Sequence, residues 1–248
     1  MIIIKSSKEI EYMRRAGKIV SETLAILQES VEPGITTGEL DRIAEEYIRK
    51  CNAIPSFKGY YGFPASICAS VNEEVVHGIP SKRVLQEGDI ISVDCGAILN
   101  GYHGDAARTF AVGKISKDAE DLIQVTKESF FKGIEKANVG NRLTDISSAI
   151  QEYAESRGYS IVRDYVGHGI GTAMHEEPEV PNFGRPGRGP KLVNGMVLAI
   201  EPMINIGDYN VEVLSNDWTV ITRDRTLSAH YENTVAILDN GPEILTLG

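Results

Sequence analysis

Ten residues of this chain occur twice in outline. Leu85–Asp94 reads LQEGDIISVD and Leu192–Glu201 reads LVNGMVLAIE, so the closing carboxylates, Asp94 and Glu201, are 107 positions apart. Each copy is Leu, two residues, Gly, a β-rich apolar run and a carboxylate. A carboxylate at the end of a buried strand is costly unless something compensates its charge. Making that choice at matching places in two halves points to one acidic site on a pseudo-twofold axis, and such a site usually holds metal.

The repeat extends beyond the decapeptides. Ser6 and Glu9 have capping-box spacing, and Ile10, Met13, Val20, Leu24 and Leu27 then fall near one helical face, which predicts a helix over 6–28. Pro33-Gly34 stops it. Thr36 and Glu39 form a second capping box before Leu40, Ile43, Ala44, Tyr47 and Ile48. A β-rich region is expected over 54–112, and helical patterning returns at 117–137 and 144–156. Gly34 aligns with Gly140, Glu39 with Asp145, Leu40 with Ile146 and Tyr47 with Tyr153, all 106 apart. No Ser-, Gly- or Pro-rich linker separates the halves. The expectation is one α+β domain over 1–248, with pseudo-repeats at roughly 6–113 and 117–248, antiparallel sheets meeting at the axis and helices outside.

Ile90–Phe110 reads as a β-hairpin turning at Asn100-Gly101, the type I′ signature. If that turn holds and no bulge intervenes beside Gly104, Leu99 pairs with Tyr102, Asp94 with Ala107, and Asp105 with Gly96. Asp94 and Asp105 then become diagonal neighbours on one face, roughly 7–8 Å apart at the backbone. In the second half Glu201 ends one strand and Glu232, in YENTVAIL, opens a run like the DAARTFAV around Asp105. Four converging carboxylates repel severely in a low dielectric, and two divalent cations would neutralise them. Any one of the four taken alone reads better as a surface charge; four at repeat-related positions do not. Of the five histidines (His77, His103, His168, His175, His230), His168 in GHGIG and His77 in HGIP are flanked by glycines that permit close backbone approach. A mostly oxygen site with one imidazole suits Mn, Fe, Co or Zn.

Composition closes off other classes. Apolar residues are 42% and charged residues 24% of 248, ordinary for a globular chain long enough to bury a core. The net charge of −10 argues against nucleic-acid binding. The MIII start is too short for a signal segment, and no apolar run approaches a membrane span. Three cysteines (Cys51, Cys68, Cys95) without a CxxC pair fit a reduced, cytoplasmic setting.

VVHGIP at 75–80, VDCGAILNGYHGDAARTF at 93–110, GHGIGTAMHEEP at 167–178, EPM at 201–203 and SAHYENT at 228–234 resemble, in order and spacing over nearly the whole chain, the type I methionine aminopeptidases. The resemblance implies a pita-bread fold and removal of the N-terminal methionine from nascent proteins and peptides with a small second residue. It places the metal ligands on Asp94, Asp105, His168, Glu201 and Glu232. Asp94 would chelate one divalent ion, His168 and Glu201 the other, and Asp105 and Glu232 would bridge. Glu201 would also take and pass on the proton of the attacking water, His175 would stabilise the oxyanion, and His77 would contact the scissile amide. The methionine pocket maps to Tyr60, Phe63, Cys68 and Trp218, although Phe63 and Cys68 are equally ordinary core residues. Met174 stands where the resemblance leads one to expect an aromatic, a departure that bears on the pocket wall and not on the reaction. Asn72 and Ser228 match positions that hold a monovalent cation. A short 175–201 connection and no zinc-binding extension at the start fit the compact bacterial form, a monomer working near the ribosome. The rivals are a proline dipeptidase or Xaa-Pro aminopeptidase, which usually carries a further N-terminal domain, and an inactive binding module of the same fold, which would have lost metal ligands.

Overall fold

The protein is described here from a computed structural model covering residues 1–247. Four long helices form where the patterning places them: α1 (Ser7–Ser30), α2 (Thr37–Lys50), α3 (Lys117–Ile134) and α4 (Leu143–Glu155). Both expected capping boxes are made. Ser6 and Thr36 each accept from the backbone N–H of the glutamate three residues on, and that glutamate accepts from the cap residue's own N–H. In the second half Arg142 occupies the cap position, so only the return bond survives, from Arg142 N–H to Asp145 Oδ2 at 2.8 Å. The first helix runs two residues past its expected end, and α3 stops three residues short of it.

Strands Ile54–Pro55, Ile67–Val71, Ile90–Leu99 and Tyr102–Ala111 make a four-stranded sheet in the first half. Gly167–Gly169, Glu176–Val180, Val197–Ile200, Asn233–Leu238 and Gly241–Ile244 make a five-stranded sheet in the second. All pairings are antiparallel. The expected β-rich region is interrupted at 56–66 and 77–89, where irregular chain and a short 3₁₀ turn at Tyr60–Gly62 replace strand. The hairpin register is the one the Asn-Gly turn dictates. Leu99 pairs with Tyr102, Asp94 with Ala107 and Gly96 with Asp105, without a bulge. Asn100 and Gly101 both have positive φ, 52° and 82°, as a type I′ turn requires.

The repeat is visible in the backbone. Gly34 N–H donates to the Leu85 carbonyl at 2.8 Å, and Gly140 N–H to the Leu192 carbonyl at 2.9 Å. The two glycines have φ of 102° and 99°, a conformation that favours glycine. The bridges Thr36–Val84 and Arg142–Lys191 recur at repeat offsets of 106 and 107. Each half also has its own apolar core. One gathers α1, α2 and the first sheet (Val20, Leu27, Leu40, Ile67, Val93), the other α3, α4 and the second (Leu122, Phe130, Ile146, Leu198, Val235). The sheets join at one seam, where Ala107 and Glu232 exchange backbone hydrogen bonds at 3.0 and 3.4 Å. Next to it, Thr234 Oγ1 accepts from Asp105 N–H at 3.0 Å and donates to the Asp105 carbonyl at 2.9 Å. The mixture of outer helices and antiparallel sheets is the expected α+β pita-bread arrangement. No described helix is long and apolar enough to cross a membrane.

Candidate active site

Sheet register decides which side chains meet. In the first sheet Cys68, Asp94 and Ala107 lie in one rung, with Asp105 two residues from Ala107, so all share a face. In the second, Ala199 is opposite both His168 and Thr234. Glu201 and Glu232 lie two residues from Ala199 and Thr234, which puts them on that same face. The Ala107–Glu232 seam then brings the two faces together. His168 Nε2 is 3.6 Å from Glu201 Oε1 and 3.8 Å from Asp105 Oδ2. Two overlapping sets of donor atoms result, each within 4.8 Å of one another: Asp105, His168 and Glu232, and Asp94, His230 and Glu232.

These groups are poorly served by the protein itself. Asp94 Oδ1, Asp105 Oδ1 and Glu232 Oε1 are buried without a hydrogen-bond partner. Burial pushes the Asp94 carboxyl up to about 7, with the Asp105 hydrogen bond acting against it. Burial and then the neighbouring carboxylates push Asp105, Glu201 and Glu232 well above the ordinary carboxylate range. Burial, then His175, pushes His168 down to about 3. His168 Nδ1 donates to the Gly169 carbonyl at 2.9 Å, which leaves the Nε2 lone pair facing the carboxylates. Orphaned buried oxygens around a neutral, correctly oriented imidazole fit divalent cations, whose positive charge would restore the carboxylates to their ionised form.

A cleft of about 240 Å³ opens directly onto these donors. Its wall holds the expected Tyr60, Phe63, Cys68 and Trp218, and also Phe57, Tyr61 and Met174. Phe57, Phe63, Cys68 and Met174 form one buried apolar cluster, on which Tyr60 and Trp218 pack. Trp218 meets Phe63 edge-on at 5.1 Å. Met174, 3% exposed, is therefore part of the wall itself. His175 is exposed at the rim. Its ring is 4.2 Å from that of His168, and its Nδ1 is 2.8 Å from Tyr60 Oη. His77 has a positive φ of 60°, a cost for a residue with a side chain, and packs between Tyr165 and Trp218. Burial, then His175, holds its imidazole down at about 4, so it is neutral near pH 7.

Asn72 and Ser228 are also brought together, through a 3.0 Å bond from Ser228 N–H to the Asn72 carbonyl. Their side chains are engaged elsewhere, Asn72 with Asp89 and the Ile90 N–H, Ser228 with the Ile204 carbonyl. The sequence reading missed Phe57, Tyr61 and His230. Phe57 lies in irregular chain and Tyr61 in a three-residue 3₁₀ turn, where no periodicity marks a facing direction. His230 carried one available signal: it precedes Glu232 by two residues, as His103 precedes Asp105, although the strand of His230 ends before Glu232.

The fold and this donor set define a metallopeptidase. The profile of metallopeptidase family M24 matches residues 11–239. A methionine aminopeptidase of Clostridium acetobutylicum is 75% identical over 248 residues, covering 100% of this chain and 99% of that protein. The crystal structure of methionine aminopeptidase from Rickettsia prowazekii superposes with a TM-score of 0.98 at 45% identity, covering all of both chains. An Xaa-Pro dipeptidase from Bacillus anthracis shares the fold alone, with a TM-score of 0.78 at 23% identity over 99% of this chain and 62% of its own. The chain belongs to metallopeptidase family M24, among its methionine aminopeptidases.

Proposed function

We infer that the protein hydrolyses the peptide bond after an N-terminal methionine, with a small second residue preferred. The observation that carries this reading is the direct opening of an apolar, partly aromatic cleft onto a ring of carboxylates and imidazoles. A thioether is well received by aromatic edges and a polarizable neighbour, and Phe57, Phe63, Trp218 and Met174 supply them. The modest cleft volume suits one unbranched side chain. We read the 248 residues as one catalytic unit working as a monomer on nascent chains near the ribosome, in the cytoplasm.

Asp94, Asp105, His168, Glu201 and Glu232 would hold two divalent ions of the Co, Mn, Fe or Zn kind. Asp94 would chelate on one side, His168 and Glu201 on the other, with Asp105 and Glu232 between. When bound, such ions supply Lewis acidity, which makes water a nucleophile near neutral pH and polarises a carbonyl. Glu201 is partly exposed to the cleft, and its oxygens face two imidazoles at 3.6 and 3.9 Å. It is the group placed to accept the water's proton and deliver it to the leaving nitrogen. His175, aligned by Tyr60, reaches over the rim to stabilise developing negative charge on the carbonyl oxygen. His77, neutral and held by Tyr165 and Trp218, offers a hydrogen bond to the scissile amide. Asn72 and Ser228 would hold a monovalent cation, a reading that rests on the sequence resemblance and on their being neighbours. The test is release of methionine from Met-Ala-Ser against cleavage of an Xaa-Pro dipeptide, each before and after full chelation. Metal-dependent methionine release is expected. Preferred cleavage of the Xaa-Pro bond, or activity indifferent to chelation, overturns the reading.

A further inference from the structure

The structure assigns His230 as a sixth metal-ligating side chain, the imidazole donor for the ion on the Asp94 side. This rests on the two-cation reading of the carboxylate cluster and adds a ligand to it. His230 ends the Ser228–His230 strand and is 2% exposed. Its Nε2 is buried without a hydrogen-bond partner. Leaving such a nitrogen unpaired costs roughly 1–3 kcal/mol, yet the backbone on both sides fixes it there. His230 N–H donates to Thr109 Oγ1 at 2.9 Å, and Thr109 Oγ1 donates back to the His230 carbonyl at 3.0 Å.

The nitrogen points at carboxylates it does not touch. Nε2 is 3.7 Å from Glu232 Oε2 and 3.9 Å from Glu201 Oε2, and with Asp94 it completes one of the two donor sets. Those separations are too long for hydrogen bonds. The Glu232 separation matches the spacing of atoms that share one cation, because bonds of about 2.0–2.2 Å on each side put neighbouring ligands roughly 3–4 Å apart. His168 shows the same pattern on the opposite side, at 3.6 and 3.8 Å from Glu201 and Asp105. Each ion then has one imidazole, His168 for one and His230 for the other, with Glu232 common to both donor sets. A nitrogen donor moves the Asp94 position away from an all-oxygen site, toward Zn, Co or Fe and away from Mg and Mn.

The experiment compares the full-length native protein with His230→Gln, each titrated with Co(II) and monitored by proton NMR and calorimetry. The native protein is expected to take up two Co(II) ions and show two exchangeable, strongly shifted imidazole N–H signals. His230→Gln is expected to lose one signal, to bind one of its two ions about tenfold or more weakly, and to shift its preference toward Mn(II). Two ions with unchanged signals and affinities in the variant overturn the assignment of His230 while leaving the metal centre intact. Failure of the native protein to bind Co(II) overturns the centre itself. If the variant does not fold, Zn(II) titration of the ¹⁵N-histidine-labelled native protein decides: the His230 Nε2 resonance moves on binding if it is a ligand and stays in place if it is not.

Discussion

The two halves of the molecule share a scaffold and equip it differently. In the first, both carboxylates come from one tight hairpin, and Asp94 and Asp105 are fixed relative to each other by ten consecutive residue pairs. In the second, Glu201 and Glu232 are 31 positions apart, and the chain between them contributes strands to two further small sheets, completed by Ser160–Ile161 and Glu74–Val76, before it returns. The first half has the shorter carboxylate at both places and the second has the longer one. A rigid hairpin with short side chains builds a fixed electrostatic base. A longer side chain at a strand end retains reach. Glu201 accordingly spans the gap between His168 and His230, whereas Asp94 stays beside its hairpin partner. The duplicated decapeptide thus carries two duties, holding charge at Asp94 and, on our reading, holding charge and moving a proton at Glu201.

The sharpest way to break this division is to neutralise each carboxylate in turn. Asp105→Asn should cost several kcal/mol of transition-state stabilisation, on the order of a thousandfold or more in kcat/KM. Glu201→Gln should lower kcat by roughly 10²–10⁴-fold, and excess metal should not restore it. Asp94→Asn should lose metal affinity first and recover activity as metal is added. Metal titration of steady-state rates checks all three, and equal recovery of Asp94→Asn and Glu201→Gln would remove the distinction. A smaller effect is expected at the wall: Met174→Ala should raise KM for Met-Ala-Ser roughly tenfold with kcat nearly unchanged, by loss of apolar contact. An unchanged KM would exclude Met174 from the pocket.

The scaffold itself should respond symmetrically. Gly34→Ala and Gly140→Ala each force a side chain into a left-handed conformation, with no neighbour within 4 Å to add a clash. Each should cost about 1–2 kcal/mol, read as matching shifts of the denaturation midpoint. Markedly unequal losses would show that the halves carry different loads. The smallest effect concerns Glu45, whose counterpart 106 positions on is Gln151. Lys58 holds the Glu45 carboxyl down at about 2, with Arg49 assisting. A depressed folded-state pKa contributes stability that is complete above the ordinary value near 4.5 and lost as pH falls toward 2. Glu45→Gln should therefore destabilise at pH 7 by at most about 1 kcal/mol, because the pairs are near the surface. The penalty should shrink between pH 4.5 and 2, as followed by thermal melts. A penalty that does not change with pH would assign the effect to packing.

Local elements were legible because local chemistry specifies them. The two capping boxes, the Asn100-Gly101 turn and the hairpin register all depend on residues a few positions apart. The register alone put Asp94 and Asp105 on one face. Helix ends moved by two or three residues, since fraying and tertiary packing decide them. The candidate site was legible only in part. Its five carboxylate and imidazole donors carried sequence patterns, but Phe57 and Tyr61 did not, and His230 carried only its two-residue spacing from Glu232.

The sequence by itself determined the repeat, the helices, the hairpin and the acidic character of the shared axis. Periodicity, turn residues and the cost of burying charge act over short stretches of chain. Only the tertiary structure decided that Ala107 would bond to Glu232 across 125 positions. That seam, with the Thr234–Asp105 and Thr109–His230 bonds beside it, turns two acidic faces into one ring of donors under an apolar cleft. It also decided that His230 would face the carboxylates with a bare nitrogen. Such contacts join residues that no local preference links, and they exist because two separately packed halves can bury their charged faces only against each other.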